Sequence, residues 1–70
     1  METIKIKDNV EYITLGQLLK IEGIISTGGE AKEYLAESKV KVDGELENRR
    51  GRKLYRGMSV ELENKIINLE

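Results

Sequence analysis

Two short signatures, Thr14-x-x-Gln17 and Thr27-x-x-Glu30, constrain this chain more than anything else in it. In such a pair the threonine hydroxyl accepts from the backbone N–H three residues on, and the Gln or Glu side chain reaches back. A helix starts at each, and the first must end before the second begins. Leu15, Leu18 and Leu19 give the first helix an apolar stripe, Ile13 and Leu18 are spaced as a hydrophobic staple, and Gly23 is placed to end it. A helix of about two turns is not stable alone in water and must lean on a partner. The second helix is expected from about Gly28 to Ser38, with Ala31, Tyr34, Leu35 and Ser38 inward and Lys32, Glu33 and Glu37 outward. Ile24 and Ile25 fill the space between the two helices.

Strand signals surround the helices. Thr3 to Lys7 alternates, with Ile4 and Ile6 on one side, and Asp8-Asn9 breaks it. Tyr12-Ile13 reads as a short extended return. After the helices, Val40 to Val42 leads into Asp43-Gly44, a strong two-residue hairpin turn, and a run from Glu45 to Leu54 anchored by Leu46 and Leu54. Arg56-Gly57 reads as a turn, Ser59 to Glu63 as a strand with Val60 and Leu62 inward, Asn64-Lys65 as a turn, and Ile66 to Leu69 as a last strand pairing with the first. The expected fold is α+β: a helix pair on a small, mostly antiparallel sheet, in the order β-α-α-β-β-β-β. Residues 1–70 are read as a single domain. With no Cys and no His, neither a disulfide nor a zinc site can staple it, and apolar packing must suffice.

Charge is segregated. The net charge is −1, yet all the arginines (Arg49, Arg50, Arg52 and Arg56) fall in the second half, with Lys53 among them and Lys39 and Lys41 just upstream. The stretch reads as a hairpin leading into a cationic strand or loop displayed to something anionic. One alternative is a solvated edge that discourages strand pairing, with Glu45 and Glu47 pairing some of the arginines. Arginine rather than lysine favours phosphate, because its planar fork makes bidentate contacts. Gly28-Gly29 also has two readings: a tight capped turn, or a helix N-terminus open to a phosphate with Lys32 one turn on.

Other chemistry is restricted. Without His or Cys, the usual acid–base switch and thiol nucleophile are missing. The carboxylates sit at helix starts and outward strand positions, with no metal-ligand spacing, so no enzyme, cofactor or metal is expected. No apolar run reaches membrane-spanning length, and the N-terminus lacks the apolar core of a signal peptide, which points to the cytoplasm. Tyr55 could stack on a base or cover a core edge.

The runs T-L-G-Q-L-L-K, S-T-G-G-E-A-K, V-K-V-D-G-E-L-E-N-R-R-G-R-K-L and the closing G-M-S-V-E-L occur in that order. Together they resemble the RNA-binding domain named after ribosomal small-subunit protein four, in particular its stand-alone bacterial members of the YaaA and YbcJ type. The resemblance covers a motif core of about residues 14–62. It implies the αL fold, two helices against a small curved sheet, with RNA across the second helix and the following hairpin. Carried over by position, it implies RNA contacts at Lys32, Arg49, Arg50, Arg52 and Lys53. Lys39, Lys41 and Arg56 join them by charge, and Gly28 and Gly29 as a candidate phosphate contact. Gly28 stands where many members have arginine, Ser38 where Gly is frequent, and Asp43 where Asn is usual.

The expectation is a non-catalytic monomer that binds structured RNA, ribosomal RNA or an assembling ribosomal particle. Shape and phosphate contacts should dominate, since stacking aromatics are few. A module docking on an acidic protein through the same arginines is the alternative.

Overall fold

In the computed structural model, which describes residues 2–70, both threonines cap helices. At Thr14 the box is complete: Thr14 Oγ1 accepts from Gln17 N at 3.2 Å, and Gln17 Oε1 accepts from Thr14 N at 2.8 Å. Helix α1 is Leu15–Ile21. Gly23 N donates to Lys20 O at 2.9 Å and Ile24 N donates to Leu19 O at 3.0 Å, the bond pair of a Schellman motif. Gly23 lies one residue beyond the C-cap, Glu22, at φ 75°, where a Cβ would be strained. Helix α2 is Gly28–Glu37. Thr27 Oγ1 accepts from Glu30 N at 3.4 Å, while Glu30 reaches past the cap to Ser26 N at 3.3 Å.

The strands are β1 (Glu2–Ile4), β2 (Ile13–Thr14), β3 (Lys41–Val42), β4 (Glu45–Leu46), β5 (Lys53–Leu54), β6 (Ser59–Leu62) and β7 (Lys65–Leu69). Five form one sheet in the order β1-β7-β6-β3-β4, parallel between β1 and β7 and antiparallel elsewhere. β2 and β5 form a separate antiparallel pair. The α+β class stands, with two corrections to the expected order. The short extended return expected at Tyr12-Ile13 is a true strand one residue on, Ile13–Thr14, and the run from Glu45 to Leu54 is broken into β4, a loop and β5. Boundaries also shift: β1 ends at Ile4, and the last turn is Glu63-Asn64.

The β3–β4 turn is the Asp43-Gly44 pair, with φ of 50° and 87°. Positive φ at both positions marks the type I′ turn whose twist matches a hairpin. Such a turn fixes the register: Val42 opposite Glu45, then Lys41 opposite Leu46. Glu47 N donates to Val40 O at 2.8 Å, which extends the count by one pair.

Leu15, Leu18 and Leu19 of α1 and Ala31 and Leu35 of α2 meet Val40, Val42, Leu54, Val60, Leu62, Ile67 and Leu69 in one buried core, joined by Ile6 and Ile25. Ile24 and Tyr34 pack on it from partly buried positions. Leu46, expected as an anchor, is instead 66 % exposed, because the turn register places it on the outer face with Lys41.

Candidate nucleic-acid interface

Arg49, Arg50 and Arg52 lie in the loop between β4 and β5, and that loop is bolted to both helices. The first N–H groups of a helix have no partner within it. In α1, Leu15 N donates to Arg52 O and Gly16 N to Arg50 O, each at 2.9 Å. A Cβ at Gly16 would stand 3.4 Å from Arg50 O and 3.5 Å from Arg50 Cβ, ordinary van der Waals contact, so the loop lies directly against this turn of the helix. The Arg50 guanidinium then crosses to α2, where Nη1 donates to Gly28 O at 2.7 Å. Together these contacts outline a groove between the helix starts lined by Thr14, Gln17, Lys20, Gly28, Ala31 and Arg50.

Glu47 orders the other two arginines. It is buried, facing inward as Val40 and Val42 do. Its carboxylate accepts from Arg49 Nε at 2.9 Å, Arg49 Nη2 at 3.2 Å, Arg49 N at 3.2 Å and Arg52 Nη1 at 2.9 Å. The Arg49 hydrogen bond, opposed by burial and helped by Arg52, holds the Glu47 carboxyl down at about 2. One carboxylate between two guanidinium groups leaves the trio net positive, and each arginine keeps N–H donors for another acceptor.

A carboxyl with a lowered folded pKa stabilises the fold above its ordinary value, and that contribution is lost as pH falls through the folded value. For Glu47 the window runs from 4.5 down to about 2. Glu47→Gln should therefore destabilise at about pH 6 by a few kcal/mol, and the gap to the parent should close towards about pH 2.5. Urea unfolding of both proteins at the two pH values measures this; a gap that does not narrow means the ion pairs contribute nothing.

The sequence-derived site residues are distributed as follows. Arg49, Arg50, Arg52 and Lys53 lie together in and beside the loop. Lys53 Nζ stands 5.0 Å from the centroid of the Tyr12 ring, a cation–π contact. Lys32 is exposed one turn along α2 from Gly28. Gly28 presents its carbonyl to Arg50, and the α2 start is closed by Thr27 and Glu30. With Gly29 this is the capped turn of the two sequence alternatives. Lys39 borders the loop's beginning near Glu47 and Asn48. Lys41 lies in a mixed-charge hollow with Glu37, Glu61 and Glu63. Arg56 is turned away from the loop: its guanidinium donates to the carbonyls of Ile6, at 3.1 Å, and Lys7, tying down the chain after β1.

The sequence offers Glu47 as a partner for the arginines, but on a solvated edge; counting pairs outward from the Asp43-Gly44 turn puts it on the inner face instead. Two other features of the site were missed. Lys20 sits one turn after Gly16 on the groove side of α1. The pairing of Tyr12 with Tyr55, ring centroids 5.7 Å apart, had no local signal because it depends on β2 meeting β5.

The chain belongs to the S4 domain family: the match covers residues 4–70. Among relatives, the probable ribosome maturation protein RlbA of Bacillus subtilis (strain 168) is 54% identical over 55 residues, covering 79% of this chain and 78% of that protein. YbcJ of Escherichia coli (strain K12) is 43% identical over 49 residues, 70% of each chain. The solution structure of YbcJ from E. coli, described as revealing an αL motif involved in RNA-binding, superposes with a TM-score of 0.66. It is 33% identical, with 99% of this chain and 86% of that one covered.

Proposed function

We propose that this chain binds structured ribosomal RNA, free or in an assembling ribosomal particle, and acts by binding alone as a cytoplasmic monomer. RNA binding as such goes with the S4 family; the finer reading rests on the interface and on the relative named for ribosome maturation. The observation that carries it is the fixing of one basic loop to both helix starts, which puts Lys20 and Arg50 in one groove and Arg49 and Arg52, paired through Glu47, in the adjoining cleft. Cations held on rigid elements match phosphates at fixed spacing, and so recognise a folded backbone rather than a flexible strand. In the described residues no helix is long and apolar enough to cross a membrane.

Crosslinking in cells, followed by sequencing of the bound RNA, tests the proposal. Ribosomal RNA should be enriched, and association with large particles should be lost on nuclease treatment. Recovery of no enriched RNA, or a stable complex with an acidic protein in nuclease-treated lysate, would overturn it.

A further inference from the structure

Beside the arginine loop, on the side of the β2–β5 pair, lies a cleft lined by Arg49, Gly51, Arg52, Lys53, Tyr55 and Met58. We infer that this cleft receives a single unpaired nucleotide, its base on the Tyr55 ring and its phosphate against the arginines. The inference rests on the RNA-binding reading and adds to it a class of target: a helix interrupted by a bulge or junction.

Tyr55 is 39 % exposed, while the half-buried Tyr12 packs its ring against that of Tyr55 at a tilt of 51° and carries Lys53 over its own ring. Tyr12 is thus already used on two sides, and Tyr55 is the ring with surface to offer. Tyr55 N donates to Met58 Sδ at 3.1 Å and Met58 N donates back to Tyr55 O at 3.2 Å, which fixes the turn that carries the ring. The cationic walls are also set in advance, because Glu47 grips Arg49 and Arg52. An aromatic shelf whose orientation is fixed before binding loses little entropy when it stacks.

The lining selects the occupant. An acidic peptide would satisfy the cations but leave the ring without a partner. A continuous duplex would satisfy the cations, but its bases are stacked on one another and cannot reach the ring. An unpaired nucleotide supplies a flat π face and a phosphate on one unit.

The probe is an RNA hairpin with one unpaired 2-aminopurine in its stem, compared with the same stem fully paired. Wild-type protein should bind the bulged hairpin about tenfold more tightly, within the range measured for base–aromatic stacking, and should quench its fluorescence. Tyr55→Leu should abolish the preference and the quenching while changing the affinity for the paired stem less than about twofold; Tyr55→Phe should keep both. Circular dichroism checks that each variant is folded. If Tyr55→Leu does not fold, the preference and quenching shown by the wild type decide the matter. Equal binding of both hairpins by the wild type, or a preference that survives in Tyr55→Leu, overturns the inference and leaves RNA binding standing. Failure to bind either hairpin, or any other structured RNA, overturns both.

Discussion

Truncation of Leu35 to alanine is expected to cost about 2–5 kcal/mol and to bring the domain close to unfolding at ordinary temperature. Leu35 is 3 % exposed and lies on the core face of α2 with Ala31. A chain of 70 residues buries a smaller fraction of its surface than a larger domain and has little stability to spare. No disulfide supplements the core, since the chain has no cysteine. The melting temperature should fall by about 10 °C or more. Leu46→Ala, the same change at an exposed position, should move it hardly at all. Thermal unfolding followed by circular dichroism compares the two. Similar melting of Leu35→Ala and the parent would mean that α2 does not contribute this face to the core.

Replacing Arg50 and Arg52 together with alanine should reduce RNA affinity about tenfold or more, since each is placed to make charge-assisted hydrogen bonds. The log–log salt dependence should flatten by about one to two units, because each phosphate left unneutralised takes about 0.7–0.9 from the slope. The weakening should be similar for all structured RNAs tested. Lys5→Ala with Lys7→Ala removes the same charge at exposed positions near β1 and should do much less. Equal weakening in the two double variants would reduce the effect to net charge. Unchanged affinity in both, with both folded, would mean that the arginines serve something other than RNA. The backbone carbonyls of residues 50 and 52, which hold α1, persist in the alanine variant, but it loses the Arg50 bond to Gly28 and one of the two guanidinium groups on Glu47, so circular dichroism must show the variant folded before its affinity reports on RNA contacts.

The helices were legible because their signals are local. A capping hydroxyl, a glycine with positive φ and an apolar stripe all act within a few residues, and each is found where the sequence places it. The Asp43-Gly44 turn was legible for the same reason. What escaped was set by distant pairing. Nothing near Lys53 and Leu54 says that they leave the main sheet to meet Ile13 and Thr14, and the Tyr12–Tyr55 contact follows from that meeting alone. Leu46 shows a different failure: its hydrophobicity suggested an inward position, but turn geometry decides the face before side-chain preference can. Glu47 shows the converse, a carboxylate carried inward by the register and made tolerable there by two guanidinium groups. The basic composition of the loop was plain from the sequence, but the partners that divide Arg50 from Arg49 and Arg52, and Arg56 from all three, required the fold.

The carbonyls of Arg50 and Arg52 that finish the first turn of α1 place a restriction on how this segment can change over evolutionary time. Charge alone would allow arginines to come, go or shift along the loop with little consequence. Two backbone groups at a set separation do not allow it: one residue inserted or deleted between them would strip a cap from the helix and misalign the groove together. Substitutions can therefore accumulate in the loop, whereas changes in its length should be purged, even in descendants that no longer need the same RNA.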